Sequence, residues 1–389
     1  MQNMPQHGDV VIVGGGPVGA LAALRLAQAG RDVILVEARA QREPVRDARA
    51  LALSWYSREQ LALAGAWPDS LPATVIDTVH VSQQGGFGRT VLQHDDLGLP
   101  HLGAVIDYPV LTAALADALA ASGVKVLWQT RVEGAQSLSR YATLSLRTAD
   151  DAVATLTCRL LVLAEGGALA ERLPGITRRV HDYRQSAVLA EVSSSQPHGN
   201  VAYERFGSEG PFALLPHGER MMLVWTRSHD DAQRLKEADD ASVLAELQQA
   251  FGERLGRFDS IGERAVFPLA LRQLNRVVSG RVVMIGNAAQ TMHPVAAQGF
   301  NLGLRDAVGL VDALAGAADP GDAAVLRRYS AGRRVDSHAV VGFTHGLIQL
   351  FDGHHPLVKA LRGVGMSALD ALPPARRAFA SHLVFGVGV

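Results

Sequence analysis

The first forty residues restrict the fold more than any other part of the chain. Val10 to Val13 is a short run of apolar, β-branched residues, the composition of a buried parallel strand. Gly14, Gly16 and Gly19 follow at once in GxGxxG spacing. The first permits a tight turn, the second lets the backbone approach a pyrophosphate, and the third lets a helix pack closely on the strand. Pro17 stands just inside the expected helix start, where its missing N–H costs nothing. The helix should reach about Ala29, with Gly30 as its stop and Asp32 to Val36 as the next strand. Glu37 ends that strand about 20 residues beyond the glycines, where a carboxylate accepts ribose hydroxyls. An acidic side chain there repels a 2′-phosphate and so disfavours NADP at this position. A lone GxGxxG is weak, but strand, glycines, helix and acid in register point to a bound dinucleotide.

A second signal lies far downstream, GNAAQTMHPVAAQGFNLGLRD from Gly286 to Asp306. Arg281 to Ile285 reads as an apolar strand, and Gly286-Asn287 fall at its carboxyl end, the edge where open α/β sheets gather ligands. The small Ala288 and Ala289 leave room for a bulky planar group. Gly299 to Asp306 reads as a helix start whose N–H groups and positive dipole end face a ligand. Reduced flavin is negative along its N1–C2=O edge, so such a helix end would stabilise it. Asn287 suits a hydrogen bond to a ribityl or diphosphate group, or is an ordinary turn asparagine. Taken together, the two motifs describe a chain that holds FAD at both ends.

Composition fits a globular enzyme. At 389 residues the chain exceeds one ordinary core, so two domains are expected. Net charge is -1, which gives no support to nucleic-acid binding. Cys158 is the only cysteine, so an internal disulfide or CxxC site is excluded, and its leucine neighbours suggest an inert core residue. The fourteen histidines show no metal-ligand spacing, and His354-His355 beside Pro356 read as a loop. No apolar run approaches the ~18 residues of a spanning helix. The reading places the protein in the cytoplasm, with a peripheral contact at the inner face of the membrane as the alternative.

The expected fold is α/β. A Rossmann-like FAD-binding domain takes residues 1–75, 101–180 and 265–320, and an inserted antiparallel-sheet substrate domain takes 76–100 and 181–264. Residues 321–389 should be helical. Val340, Phe343, Leu347 and Leu350 share one face there. Beyond Gly353, Lys359, Arg362, Arg376 and Arg377 interleave with apolar residues, a pattern suited to a lipid headgroup region. Arg49 is expected where a basic loop meets a helix, within reach of a phosphate.

DARALAL at Asp47 to Leu53, ERFGSEGPFALLP at Glu204 to Pro216 and the late motif together resemble the ubiquinone-biosynthesis hydroxylases. These are class A flavoprotein monooxygenases with the fold of para-hydroxybenzoate hydroxylase. Gly286-Asn287, Gln290-Thr291, His293-Pro294 and Phe300 are most similar to the branch that hydroxylates 2-octaprenyl-6-methoxyphenol. The resemblance spans nearly the whole chain. It implies FAD as bound cofactor, NADPH or NADH as transient reductant, O2, and a hydrophobic aromatic substrate with an isoprenoid tail. By the same resemblance Gly14, Gly16 and Gly19 hold the diphosphate, Glu37 the ribose and Arg49 a phosphate. Val132 borders the adenine, Asn287 replaces the family's usual aspartate, and Gln298, Gly299, Phe300 and Asn301 line the flavin ring. His293 either assists as a base or orders the Pro294 loop. The same chemistry on another aromatic, or at another ring position, is the alternative; a non-catalytic flavin-binding partner is the more remote one. Two departures stand out: Glu165-Gly166-Gly167 where the family has Asp-Gly followed by a serine and an arginine, and Pro109 where it has a polar or basic residue.

Overall fold

The computed structural model describes residues 5–41, 43, 49–207, 210–352 and 356–387, without the side chains of 351, 352, 356 and 357. The chain begins β1 (His7–Val13), α1 (Pro17–Gln28), β2 (Val33–Val36), β3 (Ala50–Ser54), α2 (Trp55–Leu63). Next come β4 (Thr74–Ile76), β5 (Thr78–Gln83), β6 (Arg89–Gln93), β7 (Gly103–Asp107), α3 (Tyr108–Ala121), β8 (Lys125–Leu127), β9 (Arg131–Ser137), β10 (Ala142–Arg147) and β11 (Val153–Leu163). A long antiparallel stretch follows: β12 (Arg178–Ser194), β13 (Val201–Gly207), β14 (Gly210–His217), β15 (Arg220–Ser228), α4 (His229–Glu237), α5 (Asp240–Phe251), β16 (Phe258–Ile261) and β17 (Ala265–Leu274). The chain then returns through β18 (Val278–Ser279), β19 (Val282–Met284) and β20 (Gln290–Thr291), and continues in α6 (Gln298–Leu314), α7 (Ala323–Asp352), α8 (Pro356–Ala371) and α9 (Pro373–Phe385).

The first sheet runs β18-β19-β11-β1-β2-β8; β19, β11, β1, β2 and β8 run parallel to one another, and β18 pairs antiparallel with β19 at the end of this path. Strand order reverses between β2 and β11 on either side of β1, so the turn after β1 opens at a topological switch point. Val10, Val11 and Ile12 are fully buried there, as both-face burial of a parallel strand requires. Gly30, at φ +81°, stops the first helix unit in a conformation that costs glycine little.

The second sheet, β20-β17-β12-β15-β14-β13-β5-β6, is antiparallel except where β13 runs parallel to β5. One face packs on α4 and α5 through Leu235, Val243, Leu247 and Phe251. Residues 265–274, expected with the nucleotide-binding segment, pair along β12 in this sheet.

Two further expectations need correction. Arg49 does not meet a helix: Ala50–Ser54 forms β3 by pairing with β7, and only then does Ser54 cap α2 through its hydroxyl and the Ser57 N–H. Two of the tail's basic residues do not face outward. Arg362 is buried, and Arg376 pairs with Asp96 at 2.7 Å, because α8 and α9 fold back over β6 and the turn that follows it. The tail is helical, and Val340 is buried while Leu350 is exposed. His354-His355 and Asp47 lie outside the described residues. No helix among the described residues is long and apolar enough to cross a membrane.

Candidate active site

The carboxyl ends of β1, β11 and β19 open onto one continuous cavity of about 1470 Å³, which runs from the glycine turn to α7 and α8. Its first part is built by backbone. Gly14 has φ +103°, and a Cβ there would sit 2.8 Å from the Ala164 carbonyl. Gly19 is behind the turn, where a Cβ would meet the Gly14 oxygen at 2.0 Å. Gly16 is open instead: the nearest atom to a Cβ would be Tyr108 Oη at 3.8 Å, so the backbone itself lines the cavity with Pro17.

Glu37 is buried and accepts hydrogen bonds from the Gly15 N–H and from Arg39, both backbone N–H and Nε at 2.9 Å. Burial alone would raise its pKa; the Arg39 and Gly15 contacts outweigh it and hold the carboxyl below its usual range. Glu37 is therefore an anion at the mouth of the turn. Val132, with Thr130 and Arg131, forms the facing wall. The Arg49 guanidinium lies 5.9 Å from the Tyr108 ring centroid and 5.7 Å from that of Phe267, also on the cavity wall.

The late motif closes the middle of the cavity. Gly286 takes φ +58° and donates its N–H to Asp306 at 3.0 Å. Asn287 is exposed on the cavity wall and makes no hydrogen bond among the described residues. Ala296 and Ala297 both adopt left-handed backbone, φ +56° and +51°, a strained conformation for alanine. Asn301 holds that loop: its amide donates to Ala297 O at 2.8 Å and Ala52 O at 3.0 Å, while its oxygen accepts from the Ser54 N–H at 2.8 Å. Gln298 is tied to Ala296 O and Leu383 O. Helix α6 then starts with no side-chain cap, and Gln298, Gly299 and Phe300 line the cavity at its positive end.

An open glycine turn, an ionised acid beside it and an uncapped helix end on one cavity fit FAD. Every expected contact residue except Gly19 lines that cavity, and Gly19 shapes the turn from behind.

His293 is fully buried on the same wall. Its Nδ1 accepts from the Val295 N–H at 3.3 Å, and Tyr183 meets it edge-on at 5.3 Å. Burial pushes its pKa down to about 4, so the ring stays neutral at pH 7. This environment favours the loop-ordering reading of His293 over the general-base reading.

The two departures also gain a physical account. Glu165 folds back on its own turn and accepts the N–H groups of Gly167, Ala168 and Leu169. Pro109 occupies the first turn of α3, where a missing N–H is harmless.

Glu204 was not singled out from the sequence. It stands on β13 between Ala202 and Phe206, and all three line the cavity beside Ala296. Burial pushes its carboxyl up to about 8, only partly offset by the Ala296 N–H. The signal available in the sequence was an acid alternating with apolar residues on one strand face.

A family model described as an FAD binding domain matches residues 7–344. The ubiquinone hydroxylase UbiL of Rhodospirillum rubrum is 32% identical over 96% of this chain and 89% of its own. The 3-demethoxyubiquinol 3-hydroxylase of Escherichia coli is 31% identical over 95% and 96%. Among solved structures, the p-nitrophenol 4-monooxygenase PnpA of Pseudomonas putida superposes with a TM-score of 0.78 over 99% of this chain and 100% of its own; at 19% identity this shows the fold. The anhydrotetracycline hydroxylase OxyS of Streptomyces rimosus, 26% identical, gives 0.71 over 97% and 76%. Fold and site together define a class A flavoprotein monooxygenase, which binds FAD and draws electrons from NAD(P)H. Within that class the chain belongs to the ubiquinone-biosynthesis FAD-dependent hydroxylase family.

Proposed function

We propose that this enzyme hydroxylates a polyprenyl phenol on the way to ubiquinone, with 2-polyprenyl-6-methoxyphenol as substrate. The observation that carries this reading is the far end of the cavity, lined by Leu347, Leu350, Leu361, Met366, Leu369 and Phe379. Such walls suit an isoprenoid chain. Bound FAD supplies the redox chemistry: phenol, O2, NAD(P)H and a proton give the hydroxylated phenol, NAD(P)+ and water.

The chain's own residues bind, orient and keep the site dry. Gly14, Gly16 and Gly19 frame the diphosphate, Glu37 accepts the ribose hydroxyls, Arg49 pairs with a phosphate and Val132 borders the adenine. Asn287 and the α6 start, Gln298 to Asn301, take the flavin side, where the helix end favours the negative charge of the reduced ring. The phenol must lose its proton to become electron-rich. Glu204 is the acceptor: with a pKa near 8 it lies close enough to a phenol's to exchange the proton near neutral pH. Leu350, Leu361 and Val364 are exposed around the apolar end, and a peripheral membrane contact there lets the tail enter from lipid.

A second reading keeps the chemistry and moves the ring position, since one relative is named for 3-hydroxylation of demethoxyubiquinol. Turnover of short-chain 2-prenyl-6-methoxyphenol by the purified holoenzyme, with the product's substitution pattern read by NMR, separates the two. Hydroxylation only of a demethoxyubiquinol analogue would replace the first reading with the second.

A further inference from the structure

A second cleft, of about 440 Å³, opens on the reverse side of the substrate sheet, between β5, β13 and α8. Strand alternation separates it from the long cavity. His80 and Ser82 are paired in register with Tyr203 and Arg205, whereas Val79, Val81 and Glu204 turn to the opposite face and line the cavity. The cleft collects three guanidinium groups, Arg89, Arg205 and Arg254, around the buried His80.

Arg31, Arg147, Arg178, Arg281, Arg305 and Arg376 each pair with a carboxylate, but none of the three in the cleft does so among the described residues. The single acid on the rim, Asp370, is engaged by the Val91 N–H at 2.8 Å. Like charges therefore face each other: burial first, and then Arg254, Arg89 and Arg205, push the His80 pKa down to about 4. Burial and Arg254 lower that of Arg205 as well.

The hydrogen-bonding pattern is equally incomplete. Arg254 Nη1 donates to His80 Nε2 at 2.7 Å, so the proton of the neutral ring sits on Nδ1. His80 Nδ1 and Arg205 Nε are buried donors without an acceptor, and Gln83 Oε1 is a buried acceptor without a donor. A tetrahedral oxyanion supplies acceptors for the guanidinium groups that line the cleft. Guanidinium groups match phosphate oxygens in geometry as well as charge.

We infer that this cleft is a binding site, distinct from the flavin cavity, for a phosphate group held by Arg89, Arg205 and Arg254. The group is either free inorganic phosphate or the phosphomonoester headgroup of a lipid reached beside α8. The test uses the FAD-loaded enzyme and an Arg89→Gln/Arg254→Gln double variant, both positions being exposed and outside the flavin cavity. Retained flavin content shows that the variant is folded. Thermal unfolding is followed in phosphate against chloride at equal ionic strength, and co-sedimentation against phosphatidylcholine vesicles with and without phosphatidic acid. A saturable rise in Tm of about 2–4 °C in phosphate that the variant loses supports a site for the free anion. Binding to phosphatidic acid vesicles that the variant loses, without a phosphate effect, supports a headgroup site. Responses that are absent from the wild type, or that persist in the variant, overturn the inference. Arg205→Lys is a further check, since it keeps charge while removing the bidentate fork, and the site requires it to bind phosphate more weakly than wild type.

Discussion

Glu204 and Asn301 show how single residues decide what this cavity can do. An acid held near 8 is neutral at pH 7 and ionises as pH rises, so proton acceptance from the substrate should strengthen through that range. We predict that kcat rises with an apparent pKa near 8, and that Glu204→Gln abolishes this limb and lowers kcat by about 10²–10⁴-fold. Stability carries the opposite sign. Because the folded-state pKa lies above the ordinary 4.5, the native state binds more protons between pH 4.5 and about 8, and stability falls as pH rises through that window. Glu204→Gln should therefore gain Tm relative to wild type at pH 9 and not at pH 4; equal pH dependence of the two proteins would contradict the assignment. Asn301 makes three hydrogen bonds that hold two left-handed alanines against β3. Asn301→Ala should cost roughly 2–4 kcal/mol in denaturant unfolding and release FAD on gel filtration.

Elements differ in how far the local chain determines them. The unit β1–α1–β2 was readable almost to the residue, because strand, turn and helix there follow from neighbouring positions. Gly19 illustrates the tolerance: a Cβ 2.0 Å from the Gly14 oxygen cannot be absorbed by a side-chain shift, so Gly19→Ala should yield soluble protein without bound flavin, checked by absorbance near 450 nm (roughly, from the flavin chromophore). The end of the late motif has a role that sequence did not show. Arg305 pairs with Asp336 at 2.8 Å and Asp306 with Arg333 at 2.7 Å, two crossed ion pairs that clamp α6 to α7. Asp306 also receives the Gly286 N–H, so the clamp reaches the flavin-side turn. Asp306→Asn leaves Arg333 buried without its partner and should cost about 3–5 kcal/mol by chemical denaturation. Pairings between distant segments were the part that could not be read. β3 exists only because β7 lies beside it, β17 joins the second sheet through β12, and Arg376 turns inward to an aspartate 280 positions away. The Glu204 shift was hidden for the same reason: a raised pKa belongs to the assembled cavity, not to the residue's neighbours in the chain.

At the scale of the whole molecule, one cavity joins a parallel sheet's switch point, an antiparallel wall and a helical tail. The nucleotide end is polar and backbone-lined, the far end apolar, and α6 begins between them. On the proposed function that gradient would order the reactants, with cofactor at one end, aromatic ring at the junction and isoprenoid tail toward α7 and α8. The central claim is that a prenylated phenol and FAD occupy the two parts at once, so binding of one governs the chemistry of the other. The most direct measurement is the rate at which NAD(P)H bleaches the flavin of the purified enzyme under anaerobic conditions, with and without short-chain 2-prenyl-6-methoxyphenol. The account predicts faster bleaching with the phenol present, and a hydroxylated phenol once air is admitted. Bleaching at one rate regardless of any prenylated phenol, with NAD(P)H consumed and no hydroxylated product, would contradict it.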